Sequence, residues 1–270
     1  MRLFSLLFVF ILTLGASERI VSLSPSLTEI IYALGSEDAL VATSEYSLYP
    51  KEAQTLPSVG GYSNPNIEKI LSHIPSLVVG QDFNQATLLN IQRFGRETLL
   101  LDLQTLTTIK QSITTLGERL GKVQRAQDLV ADIDDALMSA PKATRAKKVM
   151  IVFGLHEDLT RGIYIAGHDI FFEDIILACG HKNAYSSTLT SQPVLSYENV
   201  IALNPDTIII LHSKASNPSV NKQKALEAWH NIPTNAAKNK NITVLDESYL
   251  HIPSHRVALT IKRLCEAMQE

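Results

Sequence analysis

Two glutamates lie in matching segments of the chain. One segment, NPNIEKILSHIPSLVVG, begins at Asn64, and the other, LSYENVIALNPDTIIIL, begins at Leu195. In each, an Asn or Ser stands two residues before the glutamate (Glu68 or Glu198), and a Pro follows seven residues after it, ahead of an aliphatic run. The pattern predicts a short helix with a polar N-cap, followed by a buried strand. The helix dipole favours a carboxylate in the first turn by about 0.3–1 kcal/mol, but this does not explain why both copies carry Glu.

Four of the eight histidines are candidates for a shared metal site: His156, His168, His251 and His255. No pair of them has the local spacing of a zinc site, and HEDLT from His156 lacks the second His of an HExxH motif. We therefore expect no bare metal ion and no resident cofactor. Haem iron accepts His or Tyr as an axial ligand, so His251 and Tyr249 stay candidates for that role.

Composition and the first residues limit the classes of partner and location. The chain has 270 residues and a formal net charge of −3 at pH 7. We expect no nucleic-acid partner, because binding phosphates calls for a basic surface. The opening MRLFSLLFVFILTLGAS has an early Arg, an apolar stretch and then small residues, which predicts a cleaved secretory signal peptide over residues 1–17.

Short aliphatic runs alternate with helical stretches along the rest of the chain. Runs that are apolar on both faces are typical of parallel strands covered by helices, so we predict an α/β fold. The predicted strands begin at Arg19, Ser76, Thr98, Lys148, Thr207 and Ile242. A helix is predicted from Ser26, with Ser26 and Glu29 in capping-box spacing and Gly35 at its end.

One segment without strand signals divides this pattern. Residues 106–141 include a run from Lys122 to Ala140 with apolar side chains at helical spacing, which predicts one long helix. We expect two Rossmann-like lobes, residues 18–105 and 142–270, joined by this rigid helix, with a ligand cleft between them. A two-lobed transferase is the alternative from another class. We expect no enzyme, because the chain lacks the GxGxxG, Walker lysine and GxSxG motifs.

Several segments together resemble a known family. They are RIVSLSPSLTEIIYALG, SEYSLYP, VGGYSNPNIEKIL, IYIAGHDIFFEDIILACGHKNAY and LSYENVIALNPDTIII. They are similar to the helical-backbone solute-binding proteins of ATP-driven importers for cobalamin, haem and ferric siderophores, over essentially the whole mature chain. The resemblance implies a monomeric periplasmic receptor that carries a metal chelate, cobalamin first, to an ABC permease dimer in the inner membrane. Haem or a ferric siderophore is the alternative ligand.

The resemblance also implies ligand contacts. They fall on Tyr46, Tyr62, Ser248, Tyr249 and His251. Flat aromatic faces suit a macrocycle, because they bury a large area with little loss of side-chain entropy. The chain departs from the cobalamin-binding members, which have Trp in place of Tyr62 and again in place of Gln81. Their stretch matching 248–252 begins with Asp and ends with Arg, and this chain has neither there.

Two further roles follow from the resemblance. Glu68 and Glu198 match the positions whose carboxylates dock onto arginines of the two permease subunits. Cys179 and Cys265 are the only cysteines, and some cobalamin-binding relatives have cysteines at these two positions. We therefore expect a disulfide between them, which an oxidising compartment would maintain.

Overall fold

The computed structural model describes residues 18–213 and 220–269. Within these ranges the chain has a mixed α/β fold with two parallel sheets of four strands each, which confirms the predicted fold class. The predicted signal peptide, residues 1–17, lies outside the described residues. No helix in the described part of the chain is both long and apolar enough to cross a lipid bilayer.

The first sheet forms before residue 105. Its strands are β1 (Ile20–Ser22), β2 (Leu40–Thr43), β3 (Leu77–Gln81) and β4 (Glu97–Leu101), and its helices are α1 (Pro25–Ala33), α2 (Ile67–Ser72) and α3 (Gln85–Arg93). The spatial order of the strands is β2-β1-β3-β4, and all neighbours are parallel. The aliphatic runs predicted three of these strands. The fourth, β2, was missed because its four residues include Ala and Thr and give a weaker aliphatic signal.

Two helices connect this sheet to the second one. They are α4 (Leu106–Arg119) and α5 (Val123–Ser139), and α5 matches the predicted long helix to within one residue at each end. At 1.5 Å per residue, α5 is roughly 26 Å long. Near its start the Arg125 Nε donates to the carbonyl of Ala33 at 2.8 Å, and just beyond its end the carbonyl of Pro141 accepts from Gln269 at 3.4 Å. The helix therefore extends from the end of α1 to the C-terminal end of the chain's last helix.

The second sheet follows α5. The strands are β5 (Lys148–Phe153), β6 (Ile163–Tyr164), β7 (Lys182–Asn183), β8 (Val194–Leu195), β9 (Thr207–Leu211) and β10 (Ile242–Leu245). The helices are α6 (Phe171–Ala178), α7 (Tyr197–Leu203), α8 (Lys222–His230), α9 (Asn235–Lys238) and α10 (Val257–Gln269). The parallel sheet has the order β10-β9-β5-β7, while β6 and β8 form a separate antiparallel pair.

We keep the division that the sequence predicts. Residues 18–105 are called the N-terminal lobe and residues 142–270 the C-terminal lobe.

The start of α1 differs from the prediction. Ser24, not Ser26, is the N-cap, and its hydroxyl accepts the amide of the third residue after it at 3.4 Å. Glu29 does not cap the helix, because its side chain is buried and paired with Arg256 of the C-terminal lobe. The capping-box spacing was misleading because a distant residue provides a stronger partner. Gly35 ends the helix as predicted, with a φ of +69° that favours glycine.

A buried ion pair joins the two lobes. The Arg256 Nε donates to Glu29 Oε2 at 2.9 Å, and the Arg256 Nη2 pairs with Glu29 Oε1. The Ser254 hydroxyl donates to the same Oε2 at 2.6 Å. The Arg256 guanidinium also lies 3.9 Å from the centre of the Tyr49 ring, which belongs to the N-terminal lobe. Because the Glu29 and Arg256 side chains are only 3% and 9% exposed, each depends on the other to offset its desolvation.

One apolar core continues through both lobes. It includes Ile20 and Leu77 of the first sheet, Ile133 of α5, and Ile151 and Ile209 of the second sheet. The predicted disulfide between the cysteines at the end of α6 and in α10 is present, which confirms that expectation. It closes a loop of 86 residues, for which chain entropy gives about 4–5 kcal/mol of stabilisation as an upper value.

Gly117 of α4 packs directly against α5. A Cβ added to Gly117 would lie 2.3 Å from the Cβ of Ala126 in α5. We expect Gly117→Ala to lower the free energy of unfolding by about 1–3 kcal/mol, because overpacking outweighs the roughly 1 kcal/mol gain in helix propensity. Urea unfolding followed by circular dichroism measures the change. Adding Ala126→Gly should recover most of the loss, and a stabilised single variant would contradict this account of the crossing.

His255 should make the stability of the protein pH-dependent. Burial, followed by the nearby Arg256 and Arg125 guanidinium groups, lowers the pKa of His255 to about 4. A histidine of the unfolded chain has a pKa of about 6.5, so the unfolded state takes up this proton first as the pH falls. The stability tied to the neutral ring is therefore present above about pH 6.5 and is lost progressively down to about pH 4.

We expect His255→Gln to lose less stability than the wild type over this range, because Gln does not titrate. Urea midpoints measured at intervals from about pH 7 to about pH 4 test this expectation. If the two stability curves are parallel, the proton uptake that destabilises the fold occurs at other groups.

Candidate ligand-binding site

A cavity of about 460 Å³ lies between the two lobes. Gln81 at the end of β3, Leu103 just beyond β4 and Phe153 at the end of β5 line it. The cavity is therefore at the carboxyl edge of both parallel sheets, where α/β folds place their ligands. Its volume is within the range of roughly 300–1,000 Å³ that is usual for small-molecule sites.

Aromatic rings from both lobes line this cavity. They are Tyr62, Phe83, Phe153, Phe171, Phe172 and His251. Tyr62 and Phe83 pack edge to face with ring centres 5.4 Å apart, and each is nearly half exposed, at 47% and 46%. On the C-terminal side of the cavity, the centre of the Phe153 ring lies 5.4 Å from that of Phe172 and 6.4 Å from that of His251. Such surfaces are suited to a flat, largely apolar ligand.

Sequence reasoning named Tyr62 and His251 but missed the four phenylalanines. Phe153 ends a predicted strand, so the rule that ligands lie beyond strand ends would have indicated it. The other three carry no such signal. Phe171 and Phe172 are the first residues of α6, and in the sequence they have the pattern of ordinary core residues. Phe83 lies in a short 3₁₀ helix, Asp82–Asn84, that no sequence pattern predicted.

His251 is a neutral imidazole in this cavity. It ends a 3₁₀ helix, Ser248–His251, that follows β10. Burial, with a smaller effect of His212, lowers the pKa of His251. The ring is therefore uncharged at neutral pH and keeps a lone pair that a metal centre can accept. Its Nε2 is buried and has no hydrogen-bond partner among the described residues.

Three other predicted contacts lie outside the cavity lining. Ser248 and Tyr249 share the 3₁₀ helix of His251, and the Tyr249 ring lies 5.8 Å from the Arg256 guanidinium. Burial raises the pKa of the Tyr249 phenol. Tyr46 follows β2 with a φ of +66° and is 68% exposed. Their roles in binding stay predictions.

Polar side chains complete the lining. They are Gln81, Asp82, Gln104, Asp169, Ser191 and Gln192. The Gln104 side-chain amide donates to Asp82 at 2.9 Å, and the Gln104 carbonyl accepts the amide of Phe171 from the other lobe at 2.6 Å. Next to it, Asp174 of α6 accepts the amide of Leu106 at 2.8 Å. These bonds between residues 104–106 and the start of α6 fasten the two sides of the cavity to each other.

One cluster at the edge of the cavity has the residue types of a cation site. Within residues 18–213 and 220–269, only the side chains of His168, Asp169 and Glu173 form such a group. The His168 Nδ1 lies 2.9 Å from Glu173 and its Nε2 lies 3.3 Å from Asp169, so each ring nitrogen already faces a carboxylate. The four histidines considered in the sequence do not form a group, and only His251 among them lines the cavity.

The two repeated segments have the same local structure. Asn66 caps α2 and Ser196 caps α7, as predicted, and each side chain accepts the amide of the third residue after it. Glu68 and Glu198 lie in the first turns of these helices and are exposed. A hydrogen bond from the Ser196 side chain lowers the pKa of Glu198, so this carboxylate is charged at neutral pH. One such carboxylate is present on each lobe.

Comparison with known proteins identifies the family. The profile of the periplasmic binding protein family matches residues 20–249, which is most of the chain. This chain belongs to that family. The vitamin B12-binding protein of Vibrio vulnificus is 30% identical, over 97% of this chain and 94% of its own length. An uncharacterised ABC transporter substrate-binding lipoprotein of Bacillus subtilis is 28% identical, over 93% of this chain and 80% of its own.

Solved structures of other periplasmic binding proteins have the same fold. The vitamin B12-binding protein BtuF of Vibrio cholerae is 26% identical, with a TM-score of 0.76 over 93% of this chain and 96% of that one. The apo haem-binding protein RhuT of Roseiflexus is 27% identical, with a TM-score of 0.76 over 93% of this chain and 98% of that one. The periplasmic binding protein family comprises solute-binding proteins, so the transferase alternative has no support.

Proposed function

We propose that this protein is the periplasmic receptor of an ABC importer, and that it binds cobalamin in the cavity between its lobes. The lining of that cavity carries the proposal, because aromatic rings from both lobes converge on one space of small-molecule size. A corrin ring is a nearly flat macrocycle with apolar faces, and rings such as Tyr62 and Phe83 offer it flat contact. The vitamin B12-binding relatives support the same ligand.

We further propose a monomeric receptor with lobes at residues 18–105 and 142–270, exported to the periplasm by the leader predicted over 1–17. It would deliver its ligand to a permease dimer in the inner membrane. Membership of a periplasmic binding protein family supports this location, and the ABC transporter substrate-binding relative of Bacillus subtilis supports this partner.

Haem is the second candidate ligand. Tyr62 of the N-terminal lobe and His251 of the C-terminal lobe both line the cavity, and both residue types ligate haem iron. The similarity to the haem-binding protein RhuT supports this candidate. A ferric siderophore has no comparable support from the lining residues.

Visible spectroscopy of the exported, purified protein tests the proposal. Cyanocobalamin, haemin and a ferric hydroxamate are titrated in turn, and quenching of the single tryptophan, Trp229, gives a second readout. Saturable binding of one cyanocobalamin per chain is the expected result. Saturable binding of haemin alone would replace cobalamin by haem as the ligand, and binding of no chelate would contradict the receptor role.

Substitution of Tyr62 separates the two candidates. If the ligand is a corrinoid, Tyr62→Phe keeps the affinity, because the ring face makes the contact, while Tyr62→Ala weakens binding roughly ten- to a hundredfold through lost aromatic burial. If the ligand is haem held by the phenolate, Tyr62→Phe is already enough to shift the haem absorption bands, because it removes the phenolate oxygen. Equal affinities of the Ala variant and the wild type would place the ligand away from this ring.

Glu68 and Glu198 are proposed to dock the receptor onto the permease. A two-fold permease presents one basic patch at two places, and a receptor with a matching carboxylate on each lobe meets both. Charged pairs at the rim of such an interface mainly steer the encounter and fix its orientation. The exposure of both carboxylates at equivalent helix starts supports this role.

We expect Glu68→Ala and Glu198→Ala to leave ligand affinity unchanged and to reduce uptake, each by roughly three- to tenfold, with a larger loss in the double variant. Ligand titration of the purified variants and uptake into vesicles that contain the cognate permease measure the two effects. Glu118→Ala, at an exposed position on α4, is the control and should transport normally. Normal uptake by the double variant would mean that both glutamates serve only their helix starts.

A further inference from the structure

The charged side chains that line the cavity all have one sign. Asp82 comes from the N-terminal lobe and Asp169 from the C-terminal lobe, and no Lys or Arg is among the lining residues that the structure describes. His251 is the one basic side chain among these lining residues, and it is neutral because burial lowers its pKa. Among the described residues, the lining of the cavity therefore carries negative charge from both lobes and no compensating cation.

The surroundings of these two aspartates add to this potential. Asp82 accepts a hydrogen bond from the neutral side chain of Gln104, and Asp102 accepts the backbone amide of the same residue at 2.8 Å. Asp169 is 76% exposed and lies beside Glu173, with the His168 ring between the two carboxylates. Within the described ranges these contacts include no Lys or Arg, which leaves both carboxylates to act on a ligand through their charge.

The uncharged polar lining consists of side chains that both donate and accept hydrogen bonds. Gln81, Gln104 and Gln192 carry amides and Ser191 carries a hydroxyl. Primary amides at the edge of a ligand find complementary partners in such a lining. Carboxylates or catecholates at that edge would instead lose their hydration without gaining a cation, and like charges would face each other.

We propose that Asp82 and Asp169 make this cavity selective for metal chelates whose periphery is uncharged or cationic, and that they reject chelates that carry carboxylates. The proposal rests on the receptor function above and concerns the class of ligand. Corrinoids with amide side chains fit this class, and a corrinoid that lacks the phosphate-bearing nucleotide loop fits it best. Haem, with two propionates, and anionic ferric catecholates do not.

Three probes of different charge test the selectivity. Aquacobinamide is a cationic corrinoid without the phosphodiester, cyanocobalamin has no net charge, and haemin carries two carboxylates. The wild type should bind aquacobinamide at least as tightly as cyanocobalamin, and haemin most weakly. Raising the salt concentration from about 50 mM to about 500 mM should reduce the difference between aquacobinamide and haemin, because it screens charges at the mouth of the cavity.

The variant Asp82→Asn/Asp169→Asn keeps the side-chain size and removes both charges. We expect it to bind aquacobinamide roughly tenfold more weakly and haemin roughly tenfold more tightly, while cyanocobalamin changes by less than about threefold. Asp132→Asn/Asp135→Asn, on the exposed face of α5, changes the net charge of the protein equally and should alter none of the three affinities. Cyanocobalamin binding also reports whether the variant is folded.

The outcomes distinguish this proposal from the receptor function. If the wild type binds these chelates but the cavity variant changes all three affinities equally, or changes none, the selectivity proposal is wrong and the receptor function stands. The same holds if the α5 variant shifts the affinities as much as the cavity variant, because net charge would then be the cause. If the wild type binds no probe, both proposals fail.

Discussion

The buried ion pair between Glu29 and Arg256 holds the two lobes at one distance and orientation. Burying either charge without the other would cost several kcal/mol, so the lobes do not separate here without admitting water to both groups. The Ser254 hydroxyl and the Tyr49 ring occupy other faces of the pair. The bond between the Phe171 amide and the Gln104 carbonyl, at the cavity itself, requires that same alignment of the lobes.

The apolar core extends this constraint through the rest of the molecule. α5 begins beside α1, packs along α4 and α10, and contains no Pro or Gly at which a helix bends sharply. The disulfide then fixes α10 to α6, whose first residues form one wall of the cavity. The wall that α6 provides is thus attached to elements that the core holds in place.

Local signals in the sequence predicted the elements, while long-range contacts determined the site. The aliphatic runs at Lys148 and Thr207 gave β5 and β9 with correct ends, because buried parallel strands are apolar on both faces. The two-residue strand β7 is too short to leave a periodic signal. Ser26 and Glu29 have the spacing of a capping box, but the carboxylate is bonded to a residue more than two hundred positions away. No local pattern reports such a pairing.

The same distinction applies to the cavity. Tyr62 was predicted from a family resemblance, whereas Phe83 and Phe172 line the cavity together only when both lobes are in place. The ion pair between the lobes also affects how the cavity responds to a ligand. Side chains that are ordered when the chain folds lose little further entropy when a ligand enters, so a preorganised cavity loses less of the binding free energy to ordering. The same alignment of the lobes determines both the ion pair and the cavity, so a contact that strained the Glu29–Arg256 pair would alter the cavity as well.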